Sequence, residues 1–153
     1  FGGVERAQTI IDQVTEAAAG DGLEFRLDIA QRANTLLAHR LLWWAEREST
    51  PVAQSELNEA MLRAYFVEGR DIGDVAVLAD VAAALGADSD EVVGFLESGE
   101  GTTEVAEQLE RAADLGITAV PTFVVNGEWG IPGAQDSDTF EHLLRRLLLR
   151  RAG

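Results

Sequence analysis

Apolar residues recur along this chain at two spacings, and the alternation between them divides it into elements. From Val4 to Ala19 they fall at Ala7, Ile10, Ile11, Val14 and Ala18, the spacing of one helix face. Gly20 follows where a C-terminal cap is expected. Leu23-Glu-Phe-Arg-Leu27 then alternates strictly, which predicts a half-buried strand near a sheet edge.

From Asn34 to Gly116 the pattern is helical throughout and punctuated by caps. Asn34 or Thr35 opens a segment through Leu37, Leu41 and Trp44, and Thr50 with Pro51 supplies an N-cap and first-turn proline for Leu57, Met61, Tyr65 and Phe66. Asp74 to Leu85 stops at Gly86, Asp88-x-x-Glu91 forms a capping-box pattern before Val92, Val93 and Leu96, and Thr103 opens a helix that ends at Gly116. No internal repeat and no linker interrupts this block.

After Gly116 the period shortens. Thr122 to Val125 reads as a strand, Asn126-Gly127 reverses the chain, and Trp129 to Ile131 can pair back. Asn-Gly between apolar runs is a strong hairpin signal, because both residues tolerate the positive φ of a type I′ turn. A last helix places Phe140, Leu143, Leu144, Leu147 and Leu148 on one stripe, with Arg145, Arg146, Arg150 and Arg151 toward its negative C-terminal end.

Composition narrows the class. At 153 residues, 46% hydrophobic and 25% charged, the chain has the make-up of one globular domain. The net charge of −15, with every Lys or Arg position an Arg, argues against nucleic acid as a partner, since phosphate binding draws on clustered positive charge. No apolar run approaches the roughly 20 residues of a spanning helix, so no membrane partner is expected. The absence of cysteine removes any disulfide, thiolate metal site or thiol nucleophile from these residues. No signal peptide is visible in a chain that begins Phe-Gly-Gly, and the expected location is cytoplasmic.

Ile117-Thr-Ala-Val-Pro-Thr-Phe-Val-Val-Asn-Gly127, followed by Gly133-Ala134-Gln135 before the terminal helix, resembles the second half of a thioredoxin-fold domain of the DsbA type. Asn34-Thr35-Leu-Leu-Ala-His39-Arg40-Leu41, Leu62 to Phe66 and Glu68-Gly-Arg-Asp-Ile-Gly73 are similar to the helical region of its FrnE-like branch. The resemblance spans nearly the whole chain but lacks that family's first strand and its Cys-x-x-Cys. It implies an α/β fold, an incomplete thioredoxin-like domain with a large all-helical insertion. Residues 1–33 and 116–153 form the thioredoxin-like portion, and residues 34–115 the insertion. The missing strand would lie between Leu23–Leu27 and Thr122–Val125, where a gap would leave two rows of unpaired backbone groups. The expectation is therefore that the sequence belongs to a longer protein, or that another segment or chain fills the gap.

The same resemblance assigns the candidate site. The Val120-Pro121 bond is cis in the family and the residue before proline pairs with an extended peptide, so Val120, Pro121 and Thr122 are expected to bind substrate by strand addition. A plain loop proline is the alternative. Asn34 and His39 could face the substrate cleft, although a lone His on a helix with Leu36, Leu37, Leu41 and Leu42 is as readily a packing residue. Trp43 and Trp44 anchor the insertion. Gly133, Ala134 and Gln135 form a candidate anion or glutathione site at a helix N-terminus, which Asp136 and Asp138 could instead cap. With His142 as the other histidine and no H-x-x-x-H spacing, no metal site is expected.

The implied activity is that of a thiol–disulfide oxidoreductase acting on an extended peptide or small thiol/disulfide substrate, with its catalytic cysteines outside this chain, no cofactor of its own and a homodimer as the candidate assembly. The alternatives are a glutathione-binding isomerase or transferase of the kappa or hydroxychromene-carboxylate isomerase type, and a redox-dead peptide-binding module.

Overall fold

A computed structural model of the chain describes residues 2–47 and 49–151, with side chains described for 6–47 and 49–149. The side chains of Val4, Arg150 and Arg151, which figure in the helix patterns above, lie outside that set. The chain forms two compact units, Phe1–Ala106 and Glu107–Gly153.

The first unit is helical: α1 (Gly2–Gly20), α2 (Leu36–Ala45), α3 (Gln54–Phe66), α4 (Val75–Ala83), α5 (Ser89–Ser98) and the start of α6 (Thr102–Asp114). Helix α1 runs on past its expected cap. Gly22, at φ +78°, takes the left-handed position, with Leu23 N–H on Ala18 O at 2.8 Å and Gly22 N–H on Ala19 O at 3.1 Å, the paired bonds of a Schellman ending.

Helices α2 to α5 close around one core, in which Leu41, Trp44, Leu57, Leu78 and Val92 are almost completely buried. Asp74 caps α4 by accepting from the amides of Ala76 (2.8 Å) and Val77 (3.1 Å), and Asp88 caps α5 by accepting from the Glu91 amide at 3.0 Å. Each satisfies donors that the first helical turn cannot pair internally.

Two local expectations fail in this unit. Helix α3 begins at Gln54 rather than at Thr50-Pro51. Thr50 instead turns its hydroxyl back on α2, donating to Ala45 O (3.1 Å) and Arg47 O (2.7 Å), so it ends one helix and does not start the next. Leu23–Leu27 forms no strand. Its backbone tie to a neighbouring element is Arg26 N–H on Phe66 O at 2.7 Å, and Phe25 stacks on Phe66 with ring centroids 4.7 Å apart. A strand exists only by pairing, and among the described residues no second strand runs beside this segment.

The second unit holds the end of α6, strands β1 (Thr122–Val125) and β2 (Trp129–Pro132), and α7 (Ser137–Arg151). Gly116, at φ +70°, closes α6, with Ile117 N–H reaching back to Ala112 O at 3.0 Å. The strands pair antiparallel, Thr122 opposite Pro132 and Val125 opposite Trp129. Asn126 (φ 54°) and Gly127 (φ 73°) make the turn, and Glu128 N–H donates to Val125 O at 3.2 Å, as a type I′ turn requires.

Because side chains alternate across a strand, this register sorts the hairpin into two faces. Phe123 and Ile131 share the face toward α7, where Phe123 meets Phe140 edge to face at 4.8 Å and Ile131 is buried. Thr122, Val124, Gly130 and Pro132 form the other face.

Candidate functional site

The site begins with the order of hydrogen bonds along β1. Gly133 N–H donates to Pro121 O at 2.8 Å, which extends the ladder one residue beyond Thr122 and Pro132. In an antiparallel pair, bonded and non-bonded partners alternate. It follows that Phe123 and Val125 direct their backbone groups to β2, while Thr122 and Val124 direct theirs to the opposite edge.

Val120 lies just before that edge, in a bend that leads into β1. The Val120–Pro121 peptide is cis, the Val120 side chain is 90% exposed, and no described residue donates to or accepts from its backbone. Thr122 fixes the approach by donating its hydroxyl to Ala119 O at 2.6 Å. Among the described residues, Thr122 and Val124 thus turn unpaired main-chain groups to that edge, and Val120 stands open just before it. Beside it, on the Thr122 and Val124 face, lies a cleft of about 200 Å3 walled by Leu115, Ile117, Ala119 and Val124, with Glu128 on its lining.

The residues flagged as an anion site sit in the same unit and are largely engaged. Gly133 adopts φ +79° and spends its amide on Pro121 O. Gln135 Nε2 donates to Pro132 O at 2.8 Å, and Ala134 is exposed. Asp136 caps α7, its Oδ1 accepting from Thr139 N–H at 2.9 Å and its Oδ2 from Thr139 Oγ1 at 2.7 Å. Those bonds from Thr139, backbone first and hydroxyl second, hold the Asp136 carboxyl below its ordinary range. Part of the N-terminal first turn is therefore satisfied from within.

Asn34 and His39 belong to the helical unit. Asn34 opens α2, its Oδ1 accepting from Leu36 N–H at 3.1 Å, and His39 stands exposed on that helix. Val120, Pro121, Thr122 and Gly133 are thus brought together in the hairpin unit, whereas these two are placed by α2. Among the described residues, no group of three metal-ligating side chains occurs, and no helix is long and apolar enough to cross a membrane.

Two features escaped the sequence reading. The cleft beside β1 depends on how residues 115–119 fold over the hairpin, and only the alternation after Pro121 hinted which side chains would face it. Arg40 is buried, with its guanidinium donating to Glu100 O (2.8 Å), Leu96 O (3.0 Å) and Phe95 O (3.1 Å). Its one outward sign is an arginine that, with His39, makes up the polar part of a mostly apolar helix.

A hairpin led in by proline, backed by a C-terminal helix and joined in sequence to a helical block is the arrangement of a DsbA-like thioredoxin fold. A model of the DSBA-like thioredoxin domain matches residues 3–145, and the chain belongs to that family. The crystal structure of a probable DsbA oxidoreductase from Streptomyces coelicolor superposes with a TM-score of 0.83 at 31% identity, over 93% of this chain and 60% of that one. YwbO of Bacillus subtilis (strain 168), described only as uncharacterized, is 36% identical over a 92-residue alignment that covers 56% of this chain and 43% of its own. The chain thus spans about half the length of these relatives, and it contains no cysteine.

Proposed function

We propose that this chain is the substrate-holding part of a DsbA-type thiol–disulfide oxidoreductase of the FrnE-like branch. The observation that carries the reading is the open edge of β1 at Thr122 and Val124, with the exposed Val120 backbone just before it. An extended peptide laid along it gains main-chain hydrogen bonds on every second residue, as in other strand-addition sites. Thiol–disulfide exchange passes an electron pair between sulfur atoms, and all of those atoms lie outside these residues. The chain's own part is to hold the peptide extended and oriented. Residues 34–115 are assigned to a helical insertion, with Asn34 and His39 as contributors to substrate contact, and the location is assigned as cytoplasmic. A homodimer is the proposed assembly, tested by sedimentation.

Two observations weigh against the glutathione reading: the Asp136 cap on α7 and the engaged Gly133 amide. A redox-dead module would share the edge and differ only in the absence of disulfide exchange by the full-length protein.

The test uses a β-prone peptide and two derivatives, N-methylated on alternate sets of residues. Strand addition requires one derivative to bind as the parent does and the other to fail, because only one set faces β1. Equal binding of both derivatives, or no binding of the parent, would remove the proposal. The chain alone should neither reduce nor form disulfides in the same peptide.

A further inference from the structure

We infer that this edge selects peptides carrying an aliphatic side chain close to an arginine or lysine, and that Glu128 reads the positive charge. The inference rests on the peptide-holding reading above. A strand added to β1 sends alternate side chains to its two faces, and those on the Thr122 and Val124 side fall over the neighbouring cleft. The cleft holds about 200 Å3 and is lined by Leu115, Ile117 and Val124 together with Thr118, Thr122 and Glu128, so it can take an aliphatic side chain with polar groups close beside it. An anionic side chain there would meet the like charge of Glu128.

Among the described residues, Glu128 is the one charged side chain on the cleft lining. It follows the turn directly, at the Val125 end of the edge, and its carboxylate meets no ion-pair or hydrogen-bond partner among the described residues. A cation on the incoming peptide would meet a carboxylate with no competing partner among the described residues. The net charge of −15 acts in the same direction at long range, drawing cationic peptides in and repelling acidic ones. The two contributions separate experimentally, because the global field is nearly insensitive to which acid is removed and the local contact is not.

The probes are three labelled peptides of one β-prone sequence containing a leucine, with glutamine, arginine or glutamate two residues away, titrated against the whole chain at low ionic strength. The arginine peptide should bind about two- to fivefold tighter than the glutamine peptide, the range of an exposed ion pair. Glu128→Gln should abolish that preference and Glu128→Arg should transfer it to the glutamate peptide. Glu107→Gln, which removes one charge from α6 away from the cleft, should leave it in place. The preference should shrink as salt shortens the Debye length to about 8 Å at 0.15 M. If Glu128→Gln and Glu107→Gln act alike, or the three peptides bind equally, the inference is overturned while binding of the glutamine peptide keeps the peptide-holding reading alive. If none of the three binds, both fall together. Circular dichroism of each variant confirms that the exposed substitution left the fold in place.

Discussion

The amide of Gly133 donates to the carbonyl of Pro121 across 2.8 Å, and that bond decides which half of the β1 backbone is already committed. It places Phe123 and Val125 in the bonded rows with β2 and leaves Thr122 and Val124 facing outward. Gly133 can hold this position because its φ of +79° is open to a residue without a Cβ. The proposed peptide-holding edge is therefore a consequence of register and not of any one side chain.

The helical unit should depend heavily on Arg40. Its guanidinium satisfies three carbonyls at the end of α5 and in the turn that follows, and it lies 5.4 Å from the Phe95 ring centroid. Arg40→Met keeps the stem but strands those oxygens, and should cost about 3 kcal/mol in urea unfolding, the scale of losing charge-assisted bonds in a buried place. Arg40→Lys should recover only part of that loss, since an ammonium cannot span the three carbonyls as the planar fork does. Wild-type stability in the lysine variant would contradict this account.

Gly101 marks a second stress point. It sits at φ +80°, and a Cβ built there would lie 2.7 Å from Cε3 of Trp43. Gly101→Ala adds a left-handed backbone penalty to a steric clash with a ring that also lies 5.3 Å from the guanidinium carbon of Arg47. We expect a loss of about 1–3 kcal/mol, read as a lower thermal midpoint. An unchanged midpoint would mean that Trp43 moves freely out of the way.

The α7 cap should respond to acid. Bonds from Thr139 lower the Asp136 carboxyl from its ordinary value, so the ionised form is favoured in the folded state. Such a group stabilises the fold above the unfolded value near 4, and the contribution is lost as the pH falls through the lower folded value. An NMR titration should therefore show the Thr139 amide shifting with a midpoint below 4. Asp136→Asn, which can still accept from that amide, should flatten the curve.

What the sequence revealed was local and what it concealed was relational. Asp74 and Asp88 cap helices, and Asn126-Gly127 turns the hairpin, because each satisfies a need within a few residues of itself. Leu23–Leu27 alternates as a strand should, yet pairing needs a neighbour that the alternation cannot supply. Thr50-Pro51 carries a helix-start signature, but the hydroxyl found a nearer use on the carbonyls of α2. At the candidate site, the motif around Val120 and Pro121 marked the entry to β1, whereas Gly133, flagged for an anion, holds the Pro121 carbonyl. The outward direction of Val124 and the place of Glu128 on the cleft follow from register and from the path of residues 115–119, which no short pattern encodes.

The account is tested most directly by amide hydrogen exchange, residue by residue, with and without a saturating β-prone peptide. Strand addition at this edge predicts slower exchange on one side of β1, at the Val120, Thr122 and Val124 amides, with Phe123 and Val125 unchanged because β2 already holds them. Uniform protection of the whole hairpin, or protection confined to residues 34–39, would place the peptide elsewhere and contradict it.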